Sequence, residues 1–456
     1  MKFTNLFLIS ISLVLFHSCS DDNSPIEIPE PDSEQSEEPQ VEEEVDEEEP
    51  INISPDSFSL LSLEDGEENS NLNPQLKWGA ANDQDGDTVT YQLILDSNES
   101  PENVLVENLT ETQFTITESL ERNTLYFWKV IASDNNGNET ESSETYSFGT
   151  KGISFSETAL TANTEFTARR NHSITEFNGK LWMIGGQDDN ESYDNVYSSA
   201  DGSSWELEAE NPFDVFNKSN HTTVVFKNKL WAIGGWYSDI WSSTNGKDWS
   251  METATPNFGA REGHSTVVFN NKMWVIGGSE GPEQFNDVWY TDDGITWSLA
   301  IENAQFSPRM DHTTVVHDNK MYLIGGTSVT NFSPSFYNDV YVSTDGITWT
   351  QISAESSFEV RSDHTSLVFD NKIWVIGGWS AVNNEETFEQ DVASFDDVWY
   401  SENGIQWSNL NVSESYSPRM GHASAVFDGK IIISGGLNIK QADSSRTHYN
   451  DVWVVE

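Results

Sequence analysis

Six times the chain places a cation three residues ahead of a histidine: Arg169 and His172, Lys218 and His221, Arg261 and His264, Arg309 and His312, Arg361 and His364, Arg419 and His422. If the six units close into a ring, six cations and six imidazoles meet at its mouth, where they could hold an anion or a metal ion. A feature present in every unit of a repeat more commonly ties the units together. The recurrent Asp239, Asp287, Asp339, Asp397 and Asp451 are the expected partners, because arginine–carboxylate pairs are directional and hold adjacent elements in register. On this reading the ring is structural and staples unit to unit. It still lends a positive mouth to an acidic protein.

Other residue groups point to chemistry less directly. Asp83, Asp85 and Asp87, set around Gly86, cluster carboxylates at loop spacing, as calcium requires, and Asp134 could join them from a neighbouring loop. The distal bidentate Glu of an EF-hand is missing, and the alternative is a turn whose Asp side chains bond their own backbone. No other cofactor is implied. Ser-His-Asp phrases, HExxH and phosphate-binding glycine loops are absent from the sequence.

The elements that must position the Arg-x-x-His pairs repeat with them. Each pair is followed by a β-branched run and a Gly-Gly, at Gly185-Gly186, Gly234-Gly235, Gly277-Gly278, Gly325-Gly326, Gly377-Gly378 and Gly435-Gly436, giving spacings of 49, 43, 48, 52 and 58 residues. A period near fifty with four short strands per unit predicts a six-bladed β-propeller. In the third unit the expected strands are 264–269, 272–276, 288–291 and 295–299, with tight turns at Asn270-Asn271 and Asp293-Gly294. Trp289 and Trp297 are expected between adjacent sheets. The last unit ends at Glu456 without a fourth strand, while residues 152–156 align with the fourth strand of the third unit. The N-terminal strand is therefore expected to complete the sixth blade and remove two exposed edges.

With its Gly-Gly pairs after apolar runs and its later Trp, the segment 152–456 resembles kelch repeats, which implies a kelch-type propeller over residues 151–456. Ahead of it, residues 51–150 alternate apolar and polar in short runs, as a small β-sandwich would. Leu120, Thr124, Tyr126 and Val130 resemble the tyrosine corner of fibronectin type III domains, with Trp78 as the buried tryptophan, and that resemblance implies a spacer. The fold class is thus all-β: a fibronectin type III-like sandwich, then a six-bladed kelch-like propeller.

Residues 1–18 carry an apolar run from Leu6 to Phe16, too short to span a bilayer, and read as an export signal. Cys19, the one cysteine, follows at once. It resembles the acylated first residue of a bacterial lipoprotein, and the Ser20-Asp21-Asp22-Asn23 that follows resembles the signal sending such proteins to the outer face of the outer membrane. An intrachain disulfide is impossible. Residues 20–50 contain 15 Asp or Glu, five Pro and no basic residue, the composition of an extended acidic tether, so the tether is taken as 19–50. The formal charge of −54 divides into −30 for residues 1–150 (4 basic, 34 acidic) and −24 for 151–456 (18 basic, 42 acidic). Both parts repel phosphate backbones, which excludes nucleic acid as a partner.

Recognition is expected where the units differ. The loops after Gly-Gly are long in units 4, 5 and 6 (327–338, 379–396, 437–450) and carry Phe336, Tyr337, Trp379, Phe388, His448 and Tyr449, while unit 2 adds Trp236 and Tyr237. Aromatics on loops of a rigid scaffold suit the apolar faces of sugars or a protein surface. The expectation is a lipid-anchored binding protein facing the cell exterior, with a glycan or protein ligand, and not an enzyme. The kelch resemblance also admits a sialate mutarotase-like enzyme on an acidic sugar, with Arg261-Glu262 as its acid–base pair, or a structural envelope protein. A galactose oxidase centre is ruled out, since it needs a cysteine in the propeller.

Overall fold

The computed structural model describes residues 51–213, 217–331, 333–383, 390–440 and 445–456. The signal and tether segments, Cys19 and Phe388 lie outside them.

Six antiparallel sheets radiate from one axis. Blade 1 is Ser173–Phe177, Lys180–Gln187, Ser192–Ser199 and Glu206–Ala209; blades 2 to 5 repeat this four-strand order. Blade 6 supplies Ala423–Phe427, Lys430–Ser434 and Val452–Val455. Its fourth strand comes from the other end of the domain, as expected: Phe155 bridges Val455, and the N–H groups of Ser154 and Ser156 donate to the carbonyls of Glu456 and Val454 at 2.9 Å. The innermost strands touch their neighbours all the way round, and Ala423–Phe427 returns to Ser173–Phe177. No sheet edge is left open at the seam.

Alternation along each strand builds the walls between blades. In the second strand of blade 3, Met273, Val275 and Ile276 are fully buried and Trp274 nearly so. Trp297 is buried against Phe258, with ring centroids 4.9 Å apart at 88°. The Asn270-Asn271 turn has φ of +48° and +56°, as the tight hairpin demands. The long segments after Gly-Gly are hairpins rather than irregular loops. In blade 4, Lys320–Thr330 and Ser333–Ser343 pair through Gly326 out to Thr330↔Ser333, and in blade 5, Trp379–Asn383 pairs with Gln390–Ser394. Blade 3 behaves likewise, its second strand running to Glu280 rather than stopping at Ile276.

Residues 51–150 form two sheets over one core of Leu76, Trp78, Leu93, Trp128, Val130 and Phe148. Within this segment the Glu121 N–H donates to the Tyr126 hydroxyl oxygen at 3.2 Å. This unit meets the face of the propeller that carries the first-turn hairpins. There Arg122, 11% exposed, lies 3.6 Å from Asp370 and over the Phe369 ring.

Candidate functional site

The Arg-x-x-His segments and the Gly-Gly hairpins do share one face, the one opposite the sandwich. Bridges Arg170↔Gln187, Glu262↔Ser279, Met310↔Thr327, Ser362↔Trp379 and Met420↔Leu437 place them side by side.

The repeated cations do not line the channel mouth. Arg169, Arg309, Arg361 and Arg419 are fully buried, and Lys218 and Arg261 almost so. Each turns back into its own blade. The Arg309 guanidinium donates to both Asp339 oxygens at 2.6 and 3.0 Å and to the Gly325 carbonyl at 2.8 Å. Arg261–Asp287, Arg361–Asp397, Arg419–Asp451 and Lys218–Asp239 repeat the pairing. In blade 1, Arg169 donates to Asn195 instead. The same carboxylates accept the indole N–H of Trp241, Trp289, Trp399 and Trp453, which explains the Asp-Val-Trp phrase. An aromatic residue two positions before the Asp or Asn closes the pocket: Tyr193, Phe285, Tyr337, Phe395 and Tyr449 stack on their arginines at 4.2–4.6 Å. Tyr337 and Tyr449, expected at the ligand, are thereby committed to the blade.

The staple between blades is backbone, not guanidinium. The second glycine of each pair donates to the carbonyl of the next blade's cation, from Gly186 to Lys218 at 2.8 Å round to Gly436 and Arg169 at 2.8 Å. A Cβ on Gly278 would stand 2.8 Å from His264 Cβ and 2.9 Å from the Glu262 carbonyl oxygen, so only glycine fits.

The histidines form a second ring. Each Nε2 shares a hydrogen bond of 2.9–3.1 Å with a hydroxyl of the preceding blade: His221 with Ser173, His264 with Thr222, His312 with Ser265, His364 with Thr313, His422 with Thr365, and His172 with Ser434 across the closure. Burial, reinforced by the neighbouring cations, pushes His264, His312 and His422 down to about 3 and the other three well below their usual range. The expected positive mouth is therefore corrected: the imidazoles are neutral, and the cations are buried and, apart from the amide-bonded Arg169, paired with carboxylates. Arg261 cannot serve beside Glu262, since its side chain is 2% exposed and held by Asp287.

The mouth is framed by the residues between cation and histidine, with the six neutral histidines lining the cavity beneath them. Asn171, Asn220, Gly263, Asp311, Asp363 and Gly421 all adopt positive φ, between +50° and +61°. This turns their N–H groups along the ring: Asn171 donates to Gly421, Gly421 to Asp363, Asp363 to Asp311, Asp311 to Gly263 and Asn220 to Asn171, at 2.6–3.2 Å. The cavity they frame holds about 220 Å³. Burial, with Asp363 and Glu262 beside it, holds the Asp311 carboxyl well above its usual range; burial also raises Asp363, against the opposing bond from Trp379 Nε1 at 2.7 Å and the charge of Arg170. Glu262 accepts from Asn220 Nδ2 at 3.2 Å. Sequence reasoning passed over Asp311, Asp363 and Arg170. Their signal was there, in the variable positions inside an otherwise constant phrase.

Around this mouth stand the unrepeated aromatics. Trp236 and Tyr237 are 61% and 46% exposed. Trp379 is half-buried, its ring edge-on to Phe336 at 5.0 Å. His448 pairs across its hairpin with Leu437. A larger cavity of about 680 Å³ lies far from this face, at the junction of the sandwich with blade 5.

The carboxylates of Asp83, Asp85 and Asp87 offer oxygens within 4.8 Å of one another, a set fit for a hard cation. Asp134 does not join them: its carboxylate accepts the N–H groups of Asn136, Gly137 and Asn138 and the Asn52 amide. Asp83 Oδ1 likewise accepts from Asp85 and Asp87 N–H, the turn arrangement.

A family model for the Attractin/LZTR1 beta-propeller matches residues 182–445. Among curated proteins none matches the chain. The solved structure of YjhT is similar at 14% identity with a TM-score of 0.53, over 65% of this chain and 97% of that one, a likeness of fold.

Proposed function

Starting from a chain that belongs to the Attractin/LZTR1 β-propeller family, we propose that this protein is a binding protein whose loop face receives a glycan or protein ligand. One observation carries the reading. On a face where the repeated polar groups are buried and mostly saturated, the groups left with free contact surface are unrepeated: Trp236, Tyr237, and the Trp379–Phe336 pair. Exposed aromatics on rigid hairpins give contact area at low entropic cost. The sandwich rests on the opposite face, so a fibronectin type III-like spacer and an acidic tether acylated at Cys19 would hold the loop face away from an outer membrane.

A second reading is favoured by the Asp311–Asp363 pair. Two carboxyls held above their usual range at a cavity can move protons, as an enzyme on an acidic sugar would need. The full-length protein, screened against neutral and acidic glycans and then assayed for turnover of any that bind, separates the two. Binding without turnover is expected; turnover abolished by Asp311→Asn would replace the first reading with the second.

A further inference from the structure

Blades 6 and 1 meet at the closing seam of the ring. Tyr449 accepts the Arg169 N–H at 3.0 Å, which sets His448 and Arg170 on the two sides of one seam. Arg446, on the same hairpin as His448, crosses the seam to Asp189 at 3.1 Å, and His448 Nε2 lies 3.9 Å from the same carboxylate.

The donors gathered here are not used up. The Arg170 guanidinium makes no hydrogen bond or ion pair with the described residues, and its Nε is buried without a partner. His448 Nε2 is also buried and without a hydrogen-bond partner. Asp188 cannot supply the deficit, because its oxygens already accept from Asn190 and Glu191 N–H and from the Tyr193 hydroxyl. Two guanidiniums and His448 therefore share two carboxylates, Asp189 and Asp363, and Asp363 already accepts from Trp379 Nε1. Burial and the nearby Arg446 lower the Arg170 guanidinium, against Asp363 and Asp189; His448 is lowered by burial and by both arginines, against Asp189 and Asp188. Each would be relieved by an anion.

Beside the seam, blade 6 contributes Gly421 to the ring, where a Cβ would meet Asn171 Oδ1 at 2.2 Å and Arg170 Cβ at 3.3 Å. With no side chain at Gly421, the Asn171 side chain and the Arg170 stem pack directly against blade 6. The flanking Asp189 and Asp363 would repel a doubly charged phosphate more than a singly charged group.

Resting on the glycan-binding reading above, we infer that the seam between blades 6 and 1 is an oxyanion subsite, where Arg170, with Arg446 and His448 beside it, receives the singly charged carboxylate or sulfate ester of an acidic glycan. A guanidinium fork matches either group in two parallel bonds.

The test uses full-length protein and calorimetric titration with trigalacturonate, its carboxyl-reduced neutral counterpart, and a galactose 6-sulfate trisaccharide. An acidic probe should bind about tenfold or more tighter than the neutral one. Arg170→Gln should erase that difference while leaving neutral binding and the melting curve unchanged. Preference for the uronate or for the sulfate identifies which oxyanion is natural, and either supports the subsite. Equal binding of acidic and neutral probes, or a preference that survives Arg170→Gln, overturns it and leaves the glycan reading standing. Should no glycan bind, stabilisation by excess acetate over chloride, lost in Arg170→Gln, would keep the oxyanion site and withdraw the glycan. Absence of that effect too would overturn both.

Discussion

The N–H of Gly436, in the last blade, donates to the carbonyl of Arg169, in the first, at 2.8 Å. It is the same bond that joins every other pair of neighbours, so the ring closes by repeating its own rule. What distinguishes the closing blade is its borrowed strand.

Phe155 is the anchor of that strand, 7% exposed and packed at a tilt against the Tyr416 and Trp453 rings at 4.7 and 5.8 Å. Phe155→Ala should cost about 3–5 kcal/mol, as deep aromatic truncations do. Deleting residues 152–158 should lower the melting temperature far more than deleting 20–50. Calorimetric melting of the three variants checks both statements.

Arg309 tests the ion pair buried within its blade. Removing it leaves the Asp339 carboxylate, 7% exposed, without its partner, and Arg309→Ala should cost about 3–5 kcal/mol. Pairing Arg309→Met with Asp339→Leu should recover much of the loss, because no buried charge then remains. Denaturant titration of the single and double variants measures it.

The architecture was legible because a repeat multiplies weak signals. Gly-Gly spacing counted the blades, and the missing fourth strand after Trp453 pointed to residues 152–156. The direction of the arginines was not legible: the same Arg and Asp could pair within a blade or between blades, and only the fold shows that the guanidinium stays home while the carbonyl crosses. Nor could spacing show that Tyr337 and Tyr449 cap arginines while Trp236 faces solvent. Asp311 and Asp363 were not legible because they occupy variable positions of the repeated phrase, and only the fold brings those positions together at one mouth.

Acid should destabilise the propeller through its histidines. His264, His312 and His422 titrate at about 3 when folded and near 6.5 when unfolded, so the unfolded chain binds more protons between those values. Their stabilisation is complete above pH 6.5 and is lost as pH falls toward 3, by up to about 1.4 kcal/mol per pH unit for each. Asp311 and Asp363, both raised in the fold, work in the opposite direction but are outnumbered by the six lowered histidines. Melting temperature should fall from pH 7 to 5, and His264→Gln should make the slope shallower.

At the other end of the chain, Cys19→Ser should abolish fatty-acid incorporation and move the protein from membranes to soluble fractions. Radiolabelled palmitate and fractionation read this directly. Unchanged labelling and attachment would end the lipoprotein proposal.

The central claim is that repeated residues hold the propeller and unrepeated ones meet the ligand. Affinity and melting temperature, measured together for Arg309→Ala, Trp236→Ala and Trp379→Ala with a glycan found in the screen, test it most directly. Arg309→Ala should melt early, whereas Trp236→Ala and Trp379→Ala should melt close to the parent and bind at least about tenfold more weakly, the effect of losing a rigid aromatic anchor of about 2 kcal/mol. Unchanged binding by both tryptophan variants, together with normal melting and lost binding in Arg309→Ala, would contradict the claim.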